Sequence, residues 1–135
     1  MPQPILGPAG VTTTTPPAVE VLVKVVQLNA VAADATGFEA FILPKGTIPI
    51  GAYVISSGAN VAQTISIGTT LGGTQLINAV TCNGAQYSAV GSAVGAQMGT
   101  IQTADTLYYA KASAILTNPV KIKVEYYFPQ QGNQW

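Results

Sequence analysis

The sequence of 135 residues contains neither histidine nor arginine, and its charged side chains are five lysines and five acids. Without histidine there is no Ser-His or Cys-His nucleophile pair and no imidazole ligand for a metal ion. Without arginine there is no bidentate fork for a phosphate or a carboxylate. We therefore expect no enzymatic activity, no cofactor and no metal site.

Charge itself is scarce. Charged residues make up 7% of the chain and the formal net charge is zero, whereas an average soluble domain has about 25% charged residues. A neutral surface argues against nucleic-acid binding, which requires basic residues that displace counterions. A small domain usually carries net charge that keeps it dispersed, so this composition favours a protein that works inside an assembly.

Long apolar runs are also missing. No segment approaches the roughly 18 apolar residues of a membrane-spanning helix, and residues 1–11 lack the basic and apolar regions of a secretory leader. We therefore expect no membrane partner. The single cysteine, Cys82, cannot form an internal disulfide and is interpreted as a small buried apolar side chain.

Residues 1–17 are predicted to be an extended arm. The segment holds five of the nine prolines and the run Thr12–Thr15, and proline fixes φ and removes a backbone donor. Such an arm is either disordered or laid across a neighbour, and in a neutral assembling protein we expect the neighbour. The arm residues expected to contact a partner are Pro2, Pro4, Ile5, Leu6, Pro8 and Val11.

Residues 18–128 are predicted to be one β-sandwich domain, followed by a tail, 129–135, whose Trp135 is a further candidate partner contact. In "VEVLVKVVQL" (19–28) valines alternate with Glu20, Leu22, Lys24 and Val26, which is the period of a half-buried strand. The second face is only partly polar, so both faces are expected to be covered to some degree. In "VKIKVEYYF" (120–128) apolar residues alternate with Lys121, Lys123 and Glu125.

The turn signals recur every 8–12 residues, and no helical period is convincing. About eight short strands with this spacing predict an all-β fold, an antiparallel sandwich of jelly-roll type. A Greek-key β-barrel is the near alternative, because the sequence does not determine strand order. Pro49 and Gly51 interrupt the pattern before the strand "AYVIS" (52–56), and "TLYYAKASAIL" (106–116) is predicted to be a long strand that ends before Asn118-Pro119. The Ala/Gly-rich segment 82–100 has no clear pattern.

The polar residues in turns have a structural interpretation. Asp34 and Asp105 lie in turn-like segments, where an aspartate accepts backbone N–H groups. Lys45, in "LPKGT", is interpreted as a turn residue that meets solvent. Glu20 and Glu125 alternate with apolar residues on strands, which favours solvated or interface salt bridges over a pair of catalytic acids.

Two aromatic pairs, Tyr108-Tyr109 and Tyr126-Tyr127, fall on predicted strands. Adjacent strand residues point to opposite faces, so one tyrosine of each pair is expected in the core. The other, Tyr109 or Tyr127, is expected to contact a partner. An aromatic platform for glycans is the alternative use of these residues.

The order "FILPKGTIPIGAYV", then "TISIGTT", then "TADTLYYAKASAILTNPVKIKVEYYF" resembles small virion structural proteins of tailed phages. The shared features are a Leu-Pro-x-Gly turn, a strand that ends in a Gly-Thr loop, and a final Val/Lys/Tyr strand. The resemblance covers residues 38–128, and the long arm and the 82–100 segment depart from it.

The resemblance implies a β-sandwich that decorates or cements a phage capsid, or forms part of a head or tail fibre, commonly as a homotrimer. The implied partners are further copies of this chain and a major capsid or other virion protein. The implied location is the virion surface, after assembly in the host cytoplasm. The alternative hypothesis is an adhesin or glycan-binding module, and a self-assembling pilus or surface-layer subunit is a third.

Overall fold

The computed structural model describes residues 5–6, 12–13, 20–60, 63–82, 87–89 and 94–129, with the backbone alone at 5–6, 12–13 and 87–89. These residues form ten strands and one short helix, α1 (Ala32–Thr36). The strands are β1 (Ile5–Leu6), β2 (Thr12–Thr13), β3 (Val21–Leu28), β4 (Phe38–Leu43), β5 (Ile48–Ser56), β6 (Thr64–Gly68), β7 (Ile77–Thr81), β8 (Tyr87–Ala89), β9 (Thr106–Ala112) and β10 (Val120–Tyr127).

The strands β3 to β10 form two antiparallel sheets of four strands each, in the orders β3-β10-β5-β8 and β4-β9-β6-β7. The pairs β3–β10, β4–β9, β5–β8 and β6–β7 are nested along the chain. One long folded hairpin wrapped in this way is the connectivity of a jelly roll. The predicted fold class, an all-β sandwich of jelly-roll type, is therefore confirmed, and the two sheets stay separate rather than closing into a barrel.

The clearest sequence pattern becomes a central strand of the first sheet. β10 pairs with β3 on one side and β5 on the other. Its inward residues are all buried, as predicted: Val120, Ile122, Val124 and Tyr126. Branched aliphatic side chains on a pleated strand present a continuous apolar face, which the second sheet covers.

The core lies between the two sheets and includes an aromatic contact between β4 and β9. Tyr108 is fully buried, and its ring stacks on that of Phe41 with centroids 5.5 Å apart. Its hydroxyl donates to Oε1 of buried Gln102 at 2.7 Å. The polar atom of the tyrosine is thereby satisfied inside the sandwich, as a buried hydroxyl requires.

Several boundaries differ from the sequence prediction. β5 begins at Ile48, whereas Pro49 and Gly51 were expected to delay the strand to residue 52. The ladder between β5 and β10 shifts register here, and a bulge tolerates proline because it interrupts the hydrogen bonding. β9 ends at Ala112 rather than 116. The N–H of Ser113 still donates to the Thr64 carbonyl, but the side-chain hydroxyl of Ser113 accepts from the Thr64 N–H in place of a backbone carbonyl, so the regular ladder stops there.

The helix α1 was not predicted, since its segment was interpreted as a turn. It occupies five residues and ends at Gly37, whose φ of 100° suits glycine. Asp34 in this helix accepts a hydrogen bond from the backbone N–H of Asn29, so its expected role as a backbone acceptor is confirmed.

The small pair β1–β2 forms a separate two-stranded ladder, with Ile5 opposite Thr13 and Leu6 opposite Thr12. Most of the predicted arm lies outside the described residues, as do residues 83–86 and 90–93 of the 82–100 segment. The domain boundaries at residues 18 and 128 and the tail 129–135 therefore stay predictions.

Candidate assembly surface

The outer side of edge strand β3 exposes a row of valines. Val21 is 49% exposed, Val23 45% and Val25 61%. Their alternating neighbours point inward, where Val26 and Leu28 are buried. The alternating valines therefore form the solvent side of the strand, and we call Val21, Val23 and Val25 the valine row.

The apolar character continues on β5. Ile50 and Ile55 are 46% and 42% exposed, and Ile55 pairs with Lys121 in the ladder between β5 and β10. Together with the valine row they give the outer side of this sheet a large apolar component. Exposed aliphatic side chains gathered on one side of a sheet make that side a candidate interaction surface.

Two of the three charged residues on β10, between the valine row and β5, form an ion pair with each other. Lys123 Nζ lies 3.7 Å from Glu125 Oε2 and 4.9 Å from the centre of the Tyr53 ring. An ion pair and a cation–π contact reduce the demand of these groups for water. The salt bridge expected for Glu125 is confirmed, and the surface around it remains close to neutral.

The four sheet edges differ in regularity. β3 pairs with β10 over eight consecutive residues without a bulge. The other edges are interrupted or short: β4 has a register shift, β7 is irregular and contains Ala79 at φ 53°, and β8 has three residues. Among the described residues, β3 is thus the edge best suited to strand addition, since bulges and short strands block pairing.

The polar groups offer little chemistry. The described residues contain no group of three Cys, Asp or Glu side chains placed to hold a metal ion. Cys82 is buried, and desolvation raises the pKa of its thiol, which disfavours the reactive thiolate. A shallow recess of about 140 Å³ beside Ser66, Lys111 and Ser113 is smaller than the roughly 300 Å³ at which ligand pockets begin.

Lys45 is an exposed turn residue, as predicted. Its backbone N–H donates to Asp105 Oδ1 at 2.8 Å, and Gly46 beside it has a φ of 88°. Asp105 therefore closes the turn between β4 and β5, which confirms its interpretation as a backbone acceptor.

The predicted partner-binding tyrosines lie on opposite sides of the sandwich. Tyr109 is on β9, opposite Glu39, and Tyr127 is on β10, opposite Val21. Both are partly exposed while Tyr108 and Tyr126 are buried, so the expected division of each pair is confirmed. Because Tyr109 and Tyr127 belong to different sheets, they cannot share one aromatic platform.

The remaining predicted contacts are only partly described. Ile5 and Leu6 form β1. Pro2, Pro4, Pro8, Val11 and Trp135 lie outside the described residues, so their partner contacts stay predictions. No helix in the described part of the chain is long and apolar enough to cross a membrane.

Sequence reasoning missed the outward direction of the valine row. A period of two separates the two faces of a strand but does not say which face meets the core. Two features of the sequence point to an apolar outer face: Leu22 and Val26 make the opposite face of the strand apolar enough to meet the core, and the chain as a whole has very little charge.

No protein-family model matches the chain, and no curated protein matches it in sequence. Solved structures match it by fold. A chain of the cyanophage Pam1 capsid asymmetric unit matches with a TM-score of 0.59 and 17% identity, covering 94% of this chain and 100% of that one.

Two other phage capsids contain similar chains. In the capsid of Ralstonia phage GP4 the TM-score is 0.55 and the identity 18%, with 87% of this chain and 92% of that one covered. In the acid-stable capsid of Helicobacter pylori bacteriophage KHP30 the TM-score is 0.52 and the identity 11%, with 81% and 88% covered. At these identities the likeness is one of fold alone. At that level it confirms the predicted resemblance to phage virion structural proteins.

Proposed function

We propose that this chain is a non-enzymatic structural protein of a phage virion that decorates or cements the outside of the capsid. The observation that carries the proposal is the match to chains in three phage capsid structures, over 81–94% of this chain and 88–100% of those chains. Since those matches cover 88–100% of the capsid chains, those chains are also small proteins rather than larger shell subunits with one similar domain.

The surface supports decoration over tiling of the shell. A tiling subunit needs contacts around its whole perimeter, whereas the edges β4, β7 and β8 are bulged, irregular or short. Among the described residues, one outer side gathers five exposed aliphatic side chains, at the valine row, Ile50 and Ile55, whereas others such as Ile42, Leu71 and Ile115 are spread over β4 and the loops. A protein that lies on an underlying shell by one face requires that distribution.

The N-terminal arm is proposed as the second attachment element. Residues 1–19 contain no charged side chain, so they can lie on a neighbouring subunit without desolvating a charge. The location proposed for the assembled protein is the virion surface, after assembly in the host cytoplasm. The homotrimer implied by the resemblance stays a prediction.

The experiment is a particle-binding assay. Capsids assembled without this chain are mixed with the purified protein, sedimented, and analysed for bound copies per shell subunit. We expect saturable binding at a fixed ratio for the intact protein. We expect reduced occupancy for a variant that lacks residues 1–17 but keeps the folded sandwich.

Matched controls distinguish attachment from folding. The circular dichroism of the truncated variant should match that of the intact protein, and Lys45→Ala, in an exposed turn, should bind particles normally. Absence of binding by the intact protein would refute the capsid role, and unchanged occupancy of the truncated variant would refute the role of the arm.

A further inference from the structure

The segment Val19 to Val25 reads "VEVLVKV" and is self-complementary about its central residue, Leu22. Reversing it exchanges valine for valine at every odd position and exchanges Glu20 with Lys24. In an antiparallel pair of identical strands centred on Leu22, each glutamate therefore stands opposite a lysine. A two-fold contact requires such a surface, because the same patch must be complementary to itself.

The structure places most of this segment on the edge strand that is the most regular among the described residues. β3 pairs with β10 in continuous register, and among the described residues it pairs with no other strand. Its outer side carries the valine row, and Leu22 and Lys24 are only partly buried on the inner side. The edge is thus long, unbulged and apolar on the side that faces away from the core.

Lys24 is the unusual feature of this edge. An inward-pointing charge normally protects an edge strand from pairing, since strand addition would strip water from it. Its ammonium lies 6.0 Å from the centre of the Tyr126 ring, and the ion pair recorded in the described part of the chain joins other residues, Lys123 and Glu125. A partner strand that supplies a carboxylate opposite Lys24 would remove this obstacle, while other strands would meet an unpaired charge.

We propose that β3 pairs with β3 of a second copy of this chain, antiparallel and centred on Leu22. Each Glu20 then lies opposite Lys24 of the second copy, where directly opposed Cβ atoms are about 4.5–5.5 Å apart. Val21 lies opposite Val23 on the outer side, and the sheets β3-β10-β5-β8 of the two copies join into one. This pairing does not depend on attachment to a capsid.

The consequence is a wider apolar face. In the joined sheet the valine rows of the two copies lie side by side on one outer side, and both cores lie on the other. The contact is two-fold, so the free protein is expected to be a dimer rather than the trimer implied by the resemblance.

Charge exchange tests the pairing directly. Glu20→Lys places two lysines opposite each other at both symmetry-related positions, and Lys24→Glu does the same with two glutamates. Each single variant is expected to dimerise on the order of tenfold more weakly, since like charges directly opposite each other in a sheet are destabilising. An equimolar mixture of the two variants restores both pairs and should form the mixed dimer preferentially.

The readout is sedimentation velocity together with native mass spectrometry of one isotopically labelled variant. Glu39→Lys and Lys45→Glu change the net charge equally at exposed positions away from β3, and they should dimerise like the wild-type protein. A monomeric or trimeric wild-type protein, or a mixture that shows no preference for the mixed dimer, would overturn the proposal.

The register has its own test. Leu22→Cys should form a disulfide-linked dimer on mild oxidation, because position 22 meets itself at a distance that a disulfide spans. Val25→Cys should not, since its two copies would lie roughly 20 Å apart along the strands. Cys82 is buried at 3% exposure and should not interfere. Cross-linking of Val25→Cys but not of Leu22→Cys would overturn the register. If Leu22→Cys fails to fold, the exchange of charges at Glu20 and Lys24 still decides whether the strands pair.

Discussion

The two sheets of the sandwich share one core but differ on their outer sides. The sheet β3-β10-β5-β8 presents the valine row, Ile50 and Ile55 to solvent. The sheet β4-β9-β6-β7 presents a mixed set there, with the polar residues Thr64, Ser66 and Lys111 around a shallow recess and Ile42 exposed on β4, and the helix α1 packs beside β9.

The difference separates two uses of apolar residues in one small domain. The inward apolar side chains stabilise the fold because folding of a single chain removes them from water. The exposed part of the outward valines leaves water only when another surface covers it. The outer side of an antiparallel sheet that meets only water is commonly polar. The apolar outer side is therefore best explained by association, and substitutions on the inner and outer sides should have different consequences.

The largest loss of stability is expected from the core of β10. Ile122 is fully buried, so Ile122→Ala should lower the free energy of unfolding by about 2–5 kcal/mol through lost burial and a residual cavity. Denaturant unfolding measures the change. Lys121→Ala, on the exposed side of the same strand, is the matched control and should stay within about 0.5 kcal/mol. Similar losses for both variants would contradict the assignment of faces.

A smaller loss is expected from the buried tyrosine. Tyr108→Phe removes the donor that satisfies Gln102 Oε1, and an unsatisfied buried acceptor should lower the free energy of unfolding by about 1–3 kcal/mol. Tyr109→Phe is the control, because that side chain points to the outer side of β9. Equal stability of the two variants would show that the Gln102 contact contributes nothing.

High pH should weaken the fold through its buried weak acids. Desolvation raises the pKa of Cys82, and it also raises the pKa of Tyr108 against the opposing effect of the hydrogen bond to Gln102. The folded state therefore holds these protons more tightly, so stability is complete below the ordinary pKa values, about 8.5 for a thiol and about 10 for a phenol. The free energy of unfolding falls as pH rises above these ordinary pKa values.

Denaturant unfolding between neutral and alkaline pH measures this decline. Cys82→Ala should reduce the slope in the range where the thiol ionises on unfolding, and Tyr108→Phe should reduce it at higher pH. A free energy of unfolding that stays constant or rises over the alkaline range would contradict the prediction.

The smallest change in stability is expected on the valine row. Replacing Val21, Val23 and Val25 by threonine keeps β-branched residues on the strand, so the free energy of unfolding should change by less than about 1 kcal/mol. Binding to capsids should nevertheless fall, because the face loses its apolar character. Ile42→Thr, an exposed isoleucine on β4, is the control on the other sheet. Normal particle binding by the triple variant would show that the valine row is not the attachment surface.

Much of the architecture was predictable because it depends on local chemistry. The alternation of β10 predicted its buried face, the Pro44-Lys45-Gly46 sequence predicted the turn, and the Tyr108-Tyr109 pair predicted one inward and one outward ring. The helix α1 was missed because five residues are too few to show a helical period. The full length of β5 was missed because only the ladder with β10 creates the bulge that accommodates Pro49.

The sequence alone determined that this chain is a neutral, all-β protein without histidine or arginine chemistry, since composition and alternation are properties of single residues and their neighbours. Only the tertiary structure decided which face of β3 is the outer one and which edge is regular. Both depend on pairings between strands far apart in the chain: β3 borders β10, and the second sheet covers one side of it. A strand with apolar residues on both faces is assigned an inside and an outside only when the rest of the sandwich closes on it.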